Sequence, residues 1–167
     1  MTDYFALLDQ PRQPWLDPEQ LKQAFHARTL QAHPDARPNE SRNSFAEVNE
    51  AYQVLRDPKR RLQHLLALHG DAPSPQAARV PTELEELFPR VAGLLREAEI
   101  VQGRITTAAT ALTRFAAVAE ATQLQAEVGE LLAHVRGLEA NALTCLRTTD
   151  SEDKERLRTL YLLFSYL

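Results

Sequence analysis

Cysteine is scarce in this sequence of 167 residues, which contains only Cys145. A single cysteine forms neither an internal disulfide nor a cysteine cluster, and we interpret Cys145 as a small packed residue without chemistry of its own. The five histidines are also too widely spaced along the chain to indicate a ligand set. We therefore expect no metal site and no cofactor.

An excess of one charge and long apolar runs are absent too. The 19 Lys and Arg residues and 23 Asp and Glu residues leave a net charge of -4, which gives no general attraction to nucleic acid or to anionic membranes. No apolar run approaches the roughly 20 residues that cross a bilayer, and the opening MTDYFALLDQ lacks the basic flank of a signal peptide. These absences predict a cytoplasmic protein with no nucleic-acid partner and no membrane partner.

Motifs of common enzyme classes are also missing. The sequence has no glycine-rich phosphate loop, no helix with two histidines at metal-ligating spacing, and no serine or cysteine nucleophile elbow. A helical enzyme stays an alternative, but no residue pattern favours it. We expect the chain not to be an enzyme.

The sequence does contain helical periodicity along most of its length, and we predict an all-α protein. Asp17 is a good N-cap and Pro18 suits the first position of a helix, which we place at about 18–32. A further helix ending near Arg56 carries an apolar stripe made of Phe45, Val48, Tyr52 and Leu55. We expect these two helices to pack together as an antiparallel hairpin.

Other helices flank this hairpin. A short helix at about 3–10 precedes it, and one that begins near Pro58 and stops at Gly70 follows it. The stretch DAPSPQAARVP, residues 71–81, is rich in proline and small residues and is predicted to be a linker. Beyond the linker we predict a three-helix C-terminal bundle from Ala- and Leu-rich segments at about 82–104, 105–146 and 151–166.

A histidine, a proline and an aspartate stand between the two hairpin helices, in LQAHPDARP. Pro34 disfavours helix at the residue before it, so His33 is expected to end the first of these helices. Asp35 offers a carboxylate for a bidentate arginine of a partner, and His33 adds a polar ring. Alone, so short a motif is more often a simple helix stop, so the flanking segments decide its interpretation.

With those segments included, residues 1–70 resemble a J domain, the module of DnaJ-type co-chaperones. The resemblance is carried by DYFALLD, LKQAFHARTLQAHPD and FAEVNEAYQVLRDPKRR. RRLQHLLALHG and the closing SEDKERLRTLYLLFSYL are similar to segments of HscB-type co-chaperones, the J proteins of iron-sulfur cluster assembly. The resemblance implies a J domain at 1–70, a linker at 71–81 and a helical oligomerisation or client-binding domain at 82–167.

That family resemblance also implies a function for the J domain: it docks on an ATP-bound DnaK- or HscA-type chaperone and stimulates ATP hydrolysis. The chaperone-binding residues that it implies are Lys22, His26, Arg28, His33, Pro34, Asp35 and Arg37. Lys59, Arg60 and Arg61 are further basic candidates. Because Arg28 stands where the family commonly has a core leucine, we expect its stem to lie beside Phe25 and its head to reach water.

A client of the C-terminal domain is the last implication of the resemblance, and an iron-sulfur cluster scaffold protein is the expected one. Apolar residues that would contact it are Leu87, Phe88, Leu94, Leu95, Tyr161 and Phe164. At helical spacing such residues are more often core, so that interpretation stays open. The alternative is a J-domain protein with a different client, or with a C-terminal domain that is purely structural or oligomerising.

Overall fold

The computed structural model of the chain describes residues 2–31, 41–71 and 80–167. His33, Pro34, Asp35 and Arg37 lie outside the described residues. Within the described ranges all regular structure is α-helical, which confirms the predicted fold class. The helices are α1 (Tyr4–Leu7), α2 (Pro18–Gln31), α3 (Ser41–Arg56), α4 (Pro58–Leu68), α5 (Thr82–Glu85), α6 (Leu87–Thr107), α7 (Ala111–Thr148) and α8 (Lys154–Tyr166).

Aspartate side chains cap three of the first four helices. Asp3 accepts hydrogen bonds from the backbone amides of Phe5 and Ala6, and Asp17 and Asp57 cap α2 and α4 in the same way. Each carboxylate satisfies amides that the first turn of a helix leaves without a partner. At the other end of α4, Gly70 has φ 73, a left-handed conformation that suits glycine and ends the helix as predicted.

The described residues fall into two compact units. The first comprises 2–31, 41–71 and 142–166, and the second comprises 80–141. In the first unit α3 packs on α1, α2 and α4, and α8 packs on α4. Its core is built mainly from leucines, with one valine and two aromatic residues, and α7 contributes Leu146 to it. The members are Phe5, Leu8, Leu21, Val48, Leu55, Leu62, Leu65, Leu66, Leu146, Leu157, Leu160 and Tyr161.

The expected apolar stripe of α3 is only partly buried. Val48 and Leu55 are fully inside and Tyr52 is half-buried, whereas Phe45 is 45% exposed. The expected hairpin of α2 and α3 is present, since these two helices pack on each other. The stripe therefore faces the core along most of α3, with Phe45 as its exposed end.

The compact units differ from the domain boundaries expected from the sequence. The last helix, α8, which the sequence assigns to a C-terminal bundle over 82–167, packs on α4 and belongs to the first unit. Ion pairing at this contact joins Arg158 to Asp71 at 2.7 Å, and Lys154 donates to the backbone oxygen of His69 at 3.2 Å. Apolar residues of α8 are thereby used in the core of the first unit.

The second unit is organised around α6 and α7, which only residues 108–110 separate. Apolar residues recur on α6 at alternating steps of four and three residues, at Leu87, Val91, Leu94, Ala98, Val101 and Ile105. The same alternation on α7 joins Ala117, Ala121, Leu124, Val128 and Leu131. Such spacing gives a narrow apolar seam typical of paired helices. None of the helices in the described ranges has the length and apolar character needed to cross a bilayer.

Candidate functional site

The outer face of α2 is the described part of the site that the sequence predicts. Leu21 is buried on its inner side, whereas Lys22, His26 and Leu30 recur every four residues on the exposed side. Leu30 is 75% exposed, immediately before the segment that carries His33, Pro34 and Asp35. The surface thus combines two basic or titratable side chains with one apolar residue.

A stacked aromatic pair holds α2 on α3. The rings of Phe25 and Tyr52 lie 4.4 Å apart between centroids at an interplanar angle of 21°. The Arg56 guanidinium carbon stands 6.0 Å from the centroid of the Tyr52 ring. Such aromatic contacts add about 1 kcal/mol beyond the area they bury. They orient α2 so that Lys22 and His26 point away from the core.

Arg28 has an ion-pair partner that the sequence does not predict. Its guanidinium pairs with the Asp9 carboxylate at 2.6 Å, at the surface, where 35% of the Arg28 side chain and 75% of the Asp9 side chain are exposed. Asp9 follows α1 and has φ 50, a left-handed conformation that aspartate tolerates better than most residues. Arg28 therefore ties α2 to the connection after α1, and part of its charge is already neutralised within the protein.

Arg61 is a second basic candidate that the structure places inside. Only 5% of it is exposed, and it donates hydrogen bonds to the backbone oxygens of Pro14 and Leu55. Burial lowers the pKa of Arg61 to about 10, against the opposing effect of Asp57, so the side chain stays charged at neutral pH. Because its donors serve internal carbonyls, we correct the interpretation of Arg61 as a basic surface residue. Arg60, in contrast, is exposed.

His64, to which the sequence reasoning gave no role, anchors α1. It is 7% exposed, and its Nε2 accepts a hydrogen bond from the backbone amide of Tyr4 at 3.1 Å. The Tyr4 and Phe5 rings stack on the imidazole, with centroids 4.6 and 5.7 Å away. His64 lies on the side of α4 that also carries buried leucines. Its position in the helix therefore favours burial, but it does not predict the Tyr4 amide as its partner.

The apolar candidates of the C-terminal part are divided by the structure. Leu87 is buried and Leu94 half-buried in the α6 seam, whereas Phe88 is 50% and Leu95 63% exposed. Two other candidates, Tyr161 and Phe164, belong to the first unit, where Tyr161 is buried and Phe164 packs against the core. Phe88 and Leu95 are thus the candidates with exposed apolar surface.

Comparisons with known proteins assign the first part of the chain. Residues 3–64 match the DnaJ domain family. The chaperone protein DnaJ of Caldicellulosiruptor saccharolyticus is 41% identical over 64 residues, which are 37% of this chain and 16% of that protein. Human DnaJ homolog subfamily B member 3 is 42% identical over 64 residues, 36% of this chain and 43% of that protein. The chain therefore spans less than half the length of these curated relatives.

A solved structure is similar over nearly the whole chain. Chaperone HscB from Vibrio cholerae superposes with a TM-score of 0.52 and 22% sequence identity, covering 99% of this chain and 93% of that one. The predicted J domain is confirmed, and the HscB-type resemblance is confirmed at the level of the fold. The residues that match the DnaJ domain comprise α1, α2, α3 and the first part of α4.

Proposed function

We propose that this chain is a J-domain co-chaperone that docks on a DnaK- or HscA-type chaperone and stimulates its ATP hydrolysis. The observation that carries the proposal is the match of residues 3–64 to the DnaJ domain. In agreement with it, the sequence His33-Pro34-Asp35 stands between α2 and α3. The function needs no catalytic residue of this chain, because the chemistry belongs to the partner ATPase.

The exposed face of α2 supports a docking role, with a restricted set of charges. Lys22 and His26 are exposed there, whereas the Arg28 guanidinium pairs with Asp9. Opposite charge on a partner speeds encounter, and salt screens that effect. We propose Lys22 and His26 as contacts on α2, together with Arg37 beyond it, and Arg28 as a contact whose charge is shared with Asp9. The stimulation is then less salt-sensitive than that of a lysine-rich J domain.

The proposed client is an iron-sulfur cluster scaffold protein, and its support is the fold similarity to chaperone HscB over 99% of this chain. Phe88 and Leu95 supply exposed apolar surface on α6 for such a client. Leu87 and Leu94 support that surface from the seam, and Phe164 is a further candidate on α8. A different client, or an oligomerising role of the C-terminal helices, is the competing proposal.

We also propose that the protein acts in the cytoplasm.

Single-turnover ATP hydrolysis by DnaK- and HscA-type chaperones tests the proposal. We expect stimulation by the wild-type chain and its loss in His33→Gln, because the signature triggers hydrolysis through direct contact. The matched control is His134→Gln, which changes an exposed histidine of α7 and is expected to stimulate like the wild type. Equal stimulation by both variants would refute the role of His33, and no stimulation of either chaperone type would refute the co-chaperone function.

Adding the scaffold protein to the same assay identifies the client. Under the HscB-type proposal, the scaffold raises stimulation by the wild type further and leaves His33→Gln inactive. Stimulation that is indifferent to the scaffold would retain the J-domain function and assign the C-terminal helices to another client.

A further inference from the structure

The buried contact between His64 and α1 depends on the protonation state of the imidazole. A neutral imidazole has one nitrogen that donates and one that accepts. Since the Nε2 atom of His64 accepts from the Tyr4 amide, the proton of the neutral ring belongs on Nδ1. A second proton on Nε2 would set two donors against each other at the observed separation of 3.1 Å.

That hydrogen bond completes the start of α1. The first turn of a helix leaves its amides without partners in the chain. Asp3 accepts from the amides of Phe5 and Ala6, and His64 accepts from the remaining one, at Tyr4. The imidazole therefore does for the first amide what the aspartate does for the next two, and it does so from a different helix.

Loss of this contact would reach the core of the first unit. Phe5 and Leu8, on and just after α1, are both 0% exposed, and α1 packs on α3. A helix of four residues has almost no stability of its own and depends on such contacts. The stacked rings of Tyr4 and Phe5 cover His64 in return. The contact is thus mutual: each side shields the other from water.

The charged groups around His64 have opposing effects on its protonation. Asp3, on the α1 side, would favour an imidazolium, but Arg12 donates to its carboxylate at 2.8 Å and opposes that effect. Around Tyr4 stand Glu50 and Glu47 of α3 and Arg60 of α4. Burial is the largest influence, and the pKa of His64 is lowered from its ordinary value of 6.5.

We propose that His64 is a proton-sensitive lock, which holds α1 on the J domain while the imidazole is neutral and releases it when Nε2 is protonated. The lock is a property of the first unit and its tests are structural. Only a consequence for chaperone stimulation would rest on the proposed function.

The sign of the pH dependence follows from the direction of the shift. A base whose pKa is lower in the folded state stabilises the fold above its unfolded-state pKa and loses that contribution as the pH falls toward the folded-state value. The lock is therefore complete above about pH 6.5 and weakens below it. Each unit of difference between the two pKa values raises the unfolding constant up to about tenfold.

Nitrogen-15 NMR of the wild-type chain tests the lock directly. We expect the neutral His64 ring to carry its proton on Nδ1, and the Tyr4 amide signal to shift together with the His64 titration. Amide exchange, corrected for its intrinsic pH dependence, should rise more at Leu7 and Leu8 of the α1 turn than along α8 on acidification. A proton on Nε2 in the neutral ring, or a Tyr4 amide that ignores the titration, would overturn the proposal.

The variant His64→Gln separates the hydrogen bond from the proton. The Gln side chain offers an amide oxygen near the position of Nε2 and does not titrate, so the unfolding constant of this variant should change less between about pH 7.5 and pH 5 than that of the wild type. His134→Gln, at an exposed position, should retain the wild-type slope. Equal slopes for the wild type and His64→Gln would contradict the lock. If His64→Gln does not fold, the NMR titration of the wild type still decides.

Discussion

The two units of this protein use α-helices in different ways. The largest fully buried side chains, among them Phe5, Leu55, Leu65 and Leu157, all belong to the first unit. The second unit exposes more large apolar side chains than the first, on both of its long helices: Phe88, Val91, Leu95 and Ile100 on α6, and Leu112, Phe115, Val118, Val128 and Leu132 on α7. The first unit exposes fewer, among them Leu30 and Phe45.

The number of helices that surround the apolar side chains explains the difference in their exposure between the two units. In the first unit several helices enclose one core, so that α3 alone contacts three neighbours. In the second unit the apolar side chains of α6 and α7 do not close on each other along their whole length, and a cleft of about 530 Å³ opens between the two helices, lined by residues that include Val101, Leu124 and Val128. Two helices cannot cover a broad apolar surface, which leaves side chains for other contacts. Stability is thus concentrated in the first unit.

The largest effect should come from a cavity in the first unit. Leu65 is 0% exposed, and Leu65→Ala is expected to lower the free energy of unfolding by about 3 kcal/mol, because transfer and cavity costs add. Leu132, which is 51% exposed on α7, is the matched leucine of the second unit, and Leu132→Ala should cost about 0.5 kcal/mol or less. Urea unfolding of the two variants measures the difference. Equal losses would contradict the contrast between the units.

A smaller but still large effect is expected from Arg61, the buried cation of the first unit. Arg61→Ala leaves the backbone oxygens of Pro14 and Leu55 without their donor, and an unsatisfied buried acceptor costs about 2 kcal/mol. Arg60→Ala, at the exposed neighbouring position, should change stability by less than about 0.5 kcal/mol. Urea unfolding again provides the measurement, and a similar midpoint for both variants would show that Arg61 is dispensable to the fold.

Most helices could be predicted because local signals fix their ends. The helix expected at 18–32 is α2 at Pro18–Gln31, with Asp17 as its cap. The helix expected from Pro58 is α4, which Gly70 follows. The first helix is shorter than the expected 3–10, ending at Leu7, because Asp9 turns into the left-handed region. Caps, prolines and glycines give local sequence signals, whereas the left-handed conformation of Asp9 has no such signal, because the residue is not a glycine.

Tertiary pairing could not be predicted from the same patterns. The sequence predicts an apolar side for α8, but periodicity does not identify the surface that this side covers, and that surface is α4. The burial of Arg61 and His64 could not be predicted for a related reason: a charged or polar residue on a helix is expected outside unless a partner for it is known. Their partners lie far away in the sequence, at Pro14 and Tyr4.

The smallest effect on stability is expected at the exposed face of α6, and it is the most informative about function. Phe88→Ser and Leu95→Ser replace side chains that are 50% and 63% exposed, so each should lower the free energy of unfolding by about 1 kcal/mol, less than the Leu65 and Arg61 variants. If the face binds the client, each variant should nevertheless weaken capture of the scaffold protein, since apolar anchors carry most of the energy of an interface.

Isothermal titration of the scaffold protein against these two variants measures that loss. Arg96→Ser provides the control, because Arg96 is an exposed residue of the same helix whose side chain is not apolar. Stimulation of the chaperone without scaffold should stay at the wild-type level in all three variants, since the J domain is untouched. Unchanged scaffold affinity in Phe88→Ser and Leu95→Ser would remove this face from the client site. Exposed apolar surface would then be only the consequence of a narrow seam.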